Sequence, residues 1–214
     1  MPTTFWRVPF ALHRRSLPFI SITMPELSAI GSGRVVRFMT VSLARELGVL
    51  LALSVMFPFM VHVIPVPADA QLGPRLLPMF YAPLLAALWG RARSAIMLAL
   101  AAPWLNWALT SHPVPLGAVV MMVELLAFVL VFRLLMAEFG ARWYLAGPAY
   151  LSGKIAAVLV ATLFPALMGG GPAFAWAVQG VVIGAPGIAI LVLINWLALR
   201  FYPPGPSGGG PIAA

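Results

Sequence analysis

Charged residues are too scarce in this chain to cover the surface of a soluble domain. They make up 8% of its 214 residues, whereas hydrophobic residues make up 62%. A soluble domain carries roughly 25% charged residues. We therefore expect an all-α integral membrane protein, and its few polar groups inside the membrane are the first candidates for function.

Six apolar segments follow one another along the chain, most of them near the roughly 20 residues that cross a hydrocarbon core. They cover about 43–64, 75–90, 94–110, 115–136, 147–168 and 173–201, and the second is the shortest. Pro186 and Gly187 predict a kink within the last segment, because proline removes a helix hydrogen bond. The sequence thus predicts a compact bundle of six transmembrane helices over 41–202.

Arginines set the expected orientation of this bundle. If the N-terminus is cytoplasmic, the outer flanks of the segments carry only Arg75, and all the other flanking arginines lie inside. The positive-inside rule then predicts both termini in the cytoplasm, as for a multi-pass protein of a bacterial inner (plasma) membrane. The net charge of +8 is accounted for by this pattern, so we expect lipid rather than nucleic acid as the partner of the basic residues.

The two ends of the chain are predicted to be disordered cytoplasmic tails. Residues 1–40 are basic, and prolines break their apolar stretches, so we expect no signal peptide there. Translation from Met24 or Met39 would also leave the whole membrane domain. Residues 203–214 are rich in proline and glycine.

Several kinds of site are not expected from the residue types present. The chain has no cysteine, and His13, His62 and His112 are scattered, so no metal site or other cofactor is predicted. Gly31-Ser32-Gly33 is a lone GxG with no strand before it, which argues against a nucleotide-binding loop and an ATPase activity. No cluster of acids, histidines and a nucleophile points to an enzyme.

Glu124 is the most informative polar residue of the predicted spans. It lies about 9 residues, or roughly 13 Å, from the outer end of the fourth segment, with no basic residue within one helical turn. An unpaired carboxylate at that depth is costly, so it must face a cavity, find a partner or be protonated. It is a candidate ligand for a substrate or a proton, and the other interpretation is a structural hydrogen bond.

Five further residues are predicted to share the outer half of the membrane with Glu124. They are amides and aromatic side chains, a combination typical of a pocket for a flat, polar small molecule: Asn106, Gln179, Trp107, Trp176 and Tyr81. Each of them alone is more often a contact between helices or an interfacial anchor. Lys154, two turns inside the fifth segment, is expected to extend to the cytoplasmic surface, and pairing with Glu124 is the second interpretation.

Small residues recur every four positions in two segments. Ala44, Gly48 and Ala52 lie on one face of the first, and Gly180 and Gly184 form a GxxxG in the sixth. Such faces let helix backbones approach closely in lipid. They serve either packing within this bundle or docking of another membrane subunit.

Two stretches resemble a known family. LPMFYAPLLAALWG at 77–90 looks like the second helix, and GAPGIAIL at 184–191 like the last helix, of the substrate-binding S components of energy-coupling factor transporters. The resemblance covers about residues 40–202 and implies a subunit for uptake of a vitamin or cofactor precursor. In that family an alanine-rich face of the first helix docks a coupling membrane subunit, which works with two ATPases. The matching positions are Ala44, Gly48 and Ala52, although Met56 stands where the next small residue would be.

The sequence therefore favours a membrane-embedded subunit that binds a small polar metabolite and is energised by separate coupling and ATPase subunits. The alternative is a structural or scaffolding membrane protein of cell-envelope assembly. In that case the intramembrane polar residues are hydrogen bonds between helices. The identity of the substrate is not encoded in any recognisable motif.

Overall fold

The computed structural model describes residues 32–63, 72–90, 92–168 and 171–203, and every regular element among them is helical. Three long helices are α1 (Ser32–Val63), α5 (Pro115–Phe139) and α6 (Ala146–Leu163). The others are α2 (Leu72–Leu76), α3 (Tyr81–Trp89), α4 (Ala92–Thr110), α7 (Ala173–Ile183) and α8 (Ala185–Phe201). Single 3-10 turns at Pro78–Phe80 and Pro165–Met168 complete the fold.

The ends of the chain fall mostly outside this description. Residues 1–31 and 204–214, which hold most of the two predicted tails, are not among the described residues. Helix α1 begins at Ser32, inside the stretch 1–40 that the sequence assigned to the N-terminal tail.

Three described helices are long and apolar enough to cross a membrane. They are α1, through its stretch Leu43–Val61, together with α5 and α6, and the number becomes four if the bent pair α7–α8 forms one span. The chain is thus an all-helical, multi-pass membrane protein by the length and composition of its helices. The count of six spans and the cytoplasmic position of both termini stay predictions.

The second predicted span differs most from a simple membrane helix. At its centre is α3, whose nine residues extend only about 14 Å, roughly half of a hydrocarbon core. Leu77 lies between α2 and the Pro78–Phe80 turn that precedes α3, and its left-handed backbone with φ 53° redirects the chain there. The segment is therefore broken where hydropathy alone predicted one continuous helix.

The kink predicted at Pro186 and Gly187 is confirmed, but the bend itself lies at Gly184, three residues before Gly187. Helices α7 and α8 meet at Gly184 at an angle of 60°. Pro186 falls in the first turn of α8, where its missing N–H costs no helix hydrogen bond. Proline thus starts a new helix here and does not deform an existing one.

The core lies where α3, α5 and α6 meet. The ring of Phe80 packs edge-on against Phe128 of α5 and Tyr150 of α6, with centroids 5.3 and 5.1 Å apart. Around these rings the helices are close together because their facing residues are small and fully buried, including Ala82, Ala86, Ala95, Ala99, Ala102 and Ala149.

Helices α5 and α6 come close together at Gly153. A Cβ atom built on Gly153 would lie 2.7 Å from the carbonyl oxygen of Glu124, a backbone atom that cannot swing away. The glycine therefore fixes both the separation of the two helices and the position of Glu124.

Gly153→Ala should destabilise the protein, because the added methyl group meets helix backbone. Overpacking of this kind costs about 1–3 kcal/mol, more than the roughly 1 kcal/mol that alanine gains over glycine in a helix. Gly147→Ala is the matched control on the same helix, since its Cβ would make an ordinary 3.6 Å contact with Val192. Thermal unfolding in detergent measures both, and equal melting temperatures for the two variants would contradict this packing.

Candidate functional site

Glu124 and Lys154 form a buried ion pair between α5 and α6. The Nζ atom of Lys154 donates a hydrogen bond of 2.8 Å to Oε1 of Glu124. The side chain of Lys154 is 12% exposed and that of Glu124 is 3% exposed. Because Gly153 brings the α6 backbone against Glu124, the next residue of α6 is within reach of the carboxylate. The cost of the buried carboxylate is thus offset by a partner 30 residues away.

The expectation that Lys154 extends to the cytoplasmic surface is therefore corrected. Its ammonium group points into the protein, where a carboxylate and aromatic rings surround it. A carboxylate within hydrogen-bond distance and an indole face give the ammonium group partners in this position.

An aromatic ring and a glycine of α7 close the site on the other side of the ammonium. Nζ of Lys154 lies 4.5 Å from the ring centroid of Trp176, within the range of a cation–π contact, and 5.8 Å from that of Tyr150. A Cβ atom on Gly180 would come within 3.3 Å of the same Nζ. The GxxxG of α7 therefore packs inside the bundle, with its first glycine leaving room for the lysine.

Tyr150 brings a free hydroxyl group to the same region. The residue is 1% exposed, and its hydroxyl has no hydrogen-bond partner among the described residues. A Cβ atom on Gly184 would lie 3.2 Å from this hydroxyl oxygen, so the second glycine of the GxxxG also borders the site. A buried, unpartnered hydroxyl carries a desolvation cost that a bound ligand would remove.

The sequence offered the pairing of Lys154 with Glu124 only as a second interpretation, and it did not point to Tyr150. The signal that would have found them is spacing. They are four residues apart on α6, so both project from one face of this helix, and Gly180 of α7 and Gly184 directly after α7 repeat that spacing.

Of the six residues predicted to bind substrate, the structure brings Glu124 and Trp176 together, one on each side of Lys154. Asn106 is buried on α4, and its Nδ2 donates hydrogen bonds to Ser54 O of α1 at 3.2 Å and to Ala102 O at 3.0 Å. Its Oδ1 has no partner among the described residues. Asn106 therefore ties α4 to α1.

The other three predicted residues make different contacts. The hydroxyl of Tyr81 donates to Leu76 O, and its ring packs edge-on against Phe57. Trp107 is exposed and packs against Trp104. Gln179 is exposed on α7. Contact of any of the six with a ligand stays a prediction.

The predicted docking face is exposed in the described part of the chain. Ala44, Gly48 and Ala52 are all exposed on α1, and a Cβ atom on Gly48 would meet no atom within 4 Å. The two small-residue patterns thus differ, since the one on α7 packs internally and the one on α1 does not.

The site brings four kinds of functional group together. It offers a carboxylate, an ammonium group, an indole face and a phenol. No group of three histidines or acids able to hold a metal ion occurs among the described residues. Comparison of the chain with protein-family models, curated proteins and solved structures finds no match. The class that the fold itself supports is a helical, multi-pass membrane protein with an ion pair in its interior.

Removing one partner of the pair should cost more than removing both. Lys154→Met leaves the carboxylate of Glu124 buried and unpaired, which costs about 3–5 kcal/mol. In the double variant Glu124→Gln, Lys154→Met no charge remains, so stability should return close to that of the wild type. Thermal and denaturant unfolding of the single and double variants in nanodiscs gives the coupling energy. Strictly additive losses would show that the two groups do not interact.

Proposed function

We propose that this protein is the membrane-embedded binding subunit of an uptake system for a small polar metabolite. The observation that supports this most strongly is the ion pair of Glu124 and Lys154 among apolar helices, with Trp176 over the ammonium group. Apolar side chains of similar size would often stabilise such an interior equally well. Ionisable residues inside membrane proteins more commonly line substrate or ion pathways.

The proposal extends to the partners and the orientation. The chain resembles the S components of energy-coupling factor transporters at 77–90 and 184–191, and its sequence offers no nucleotide-binding loop of its own. We therefore propose separate coupling and ATPase subunits. The arginine distribution supports six spans, cytoplasmic termini and a bacterial plasma membrane. A vitamin or cofactor precursor is the substrate class that the resemblance suggests.

The exposed small-residue face of α1 is the proposed docking surface for the coupling subunit. Ala44, Gly48 and Ala52 are exposed, the space beside Gly48 is open, and small side chains allow a partner helix to approach closely.

A second candidate function is a structural role in envelope assembly. It is favoured by the two buried asparagines, which act as ties between elements. Asn106 joins α4 to α1, and Nδ2 of Asn195 on α8 donates 2.9 Å hydrogen bonds to the carbonyl oxygens of Arg142 and Trp143. A scaffold would need such ties and no ligand.

The binding function predicts that a small molecule accompanies the purified protein. Mass spectrometry of the denatured sample identifies it, and ligand-induced thermal stabilisation measures its affinity. Glu124→Gln should weaken that affinity about 10- to 150-fold, the equivalent of losing a hydrogen bond to a charged group worth 1.5–3 kcal/mol. Asn195→Ala is the control, and it should lower stability without changing affinity. If Glu124→Gln lowers stability but leaves the ligand affinity unchanged, the scaffold function becomes the better account.

Docking through α1 predicts a separate effect of Gly48→Leu. The Cβ atom of the new side chain has no described atom within 4 Å, so the purified variant should keep its melting temperature and ligand affinity. It should lose co-purification with the coupling and ATPase subunits. The control is Met60→Leu, an exposed position on the same helix that changes little in bulk. Retained partners in Gly48→Leu would remove this face from the proposal.

A further inference from the structure

We propose that the site between α6 and α7 selects a zwitterion, a small molecule carrying both a carboxylate and an ammonium group. Four groups would receive it: the carboxylate of Glu124, the ammonium of Lys154, the indole of Trp176 and the hydroxyl of Tyr150. This inference rests on the proposed binding function and names the substrate class for the same site.

Charge balance is the first argument. The Glu124–Lys154 pair has no net charge, and the two side chains are almost completely buried. A ligand that is only an anion or only a cation would leave one uncompensated charge in the apolar interior, which is costly in a membrane protein. A zwitterion supplies one charge of each sign, so each protein group keeps an opposite partner when the ligand divides the pair.

Two hydrogen-bond donors of the protein are available to the carboxylate group of the ligand. A lysine ammonium group has three N–H donors, and Glu124 is the one hydrogen-bond acceptor of Lys154 among the described residues. One turn away on the same helix face, the hydroxyl of Tyr150 is buried without a partner. A ligand carboxylate between these two groups would give both of them an acceptor.

The position proposed for the ammonium group of the ligand is the one that the ammonium group of Lys154 occupies in the structure. The Trp176 ring centroid is 4.5 Å from Nζ of Lys154, and Oε1 of Glu124 is 2.8 Å from the same atom. An indole face and a carboxylate around one position form a binding site for an ammonium group. The ligand's ammonium would take this position as Lys154 turns toward the ligand's carboxylate.

Helix α7 has to move away from α6 for the ligand to enter. Ala177 is the one buried hydrophobic residue on α7, and the helix is joined to α8 through the 60° bend at Gly184. Gly180 and Gly184 place no side chain between α7 and the polar atoms of Lys154 and Tyr150. Entry between α6 and α7 therefore needs little core packing to be broken.

The test compares three matched probes on the purified full-length protein in nanodiscs. L-Phenylalanine is the zwitterion, phenethylamine lacks its carboxylate, and 3-phenylpropionate lacks its ammonium group. The other common L-amino acids and glycine betaine are measured in parallel by thermal stabilisation and calorimetry. The result expected is stabilisation by at least one zwitterion, with no stabilisation by the amine or the acid that shares its skeleton.

Variants then locate the binding zwitterion. Tyr150→Phe should lower its affinity about 10- to 150-fold, as expected for the loss of a hydrogen bond to a charged group. Gly180→Leu should abolish binding, because the new side chain would fill the space beside Nζ of Lys154. Tyr144→Phe is the control at an exposed tyrosine, and its affinity should equal that of the wild type. Unchanged affinity in Tyr150→Phe would overturn the proposed position.

The outcomes separate this inference from the function on which it rests. If no zwitterion stabilises the protein but a neutral or singly charged metabolite co-purifies with it, the zwitterion is wrong and the binding function stands. If neither experiment finds a bound small molecule, both are wrong.

Discussion

The Glu124–Lys154 ion pair is the interaction on which the arrangement of α5, α6 and α7 depends. A carboxylate that is 3% exposed in an apolar bundle has no water to solvate it, so its partner must come from a neighbouring helix. That is possible because Gly153 lets the α6 backbone come against the carbonyl of Glu124. Gly180 then leaves space for the ammonium group under α7. Two glycines and two charges thus fix three helices together.

The same constraint, that polar groups in lipid must find partners within the protein, explains the contacts at the helix ends. Helix α3 is short, and the carbonyl groups of its last turn need hydrogen-bond partners from outside the helix. Nη1 of Arg133, on α5, donates a 3.1 Å hydrogen bond to the carbonyl oxygen of Ala87. The positive charge also interacts favourably with the C-terminal end of the helix dipole. Nε1 of Trp89 in turn donates to Tyr202 O, which ties α3 to the end of α8.

Much of the fold was predictable from sequence because hydropathy is a local property. The helical class, the positions of the apolar segments and the bend near Pro186 all follow from residues that are neighbours in the chain. The break before α3 was not predictable, because it depends on the left-handed backbone of Leu77, and no proline or glycine occupies that position. The sequence likewise could not decide between the two interpretations of Lys154, because its partner is 30 residues away and is set by tertiary packing.

The charge state of Glu124 is the most direct test of this account. Infrared difference spectra between wild type and Glu124→Gln at neutral pH isolate the vibrations of this one side chain. The account predicts the two stretching bands of an ionised carboxylate, and it predicts that Lys154→Met replaces them with the carbonyl band of a neutral acid. A neutral acid already present in the wild-type protein, unchanged by Lys154→Met, would contradict the ion pair at the centre of the structure.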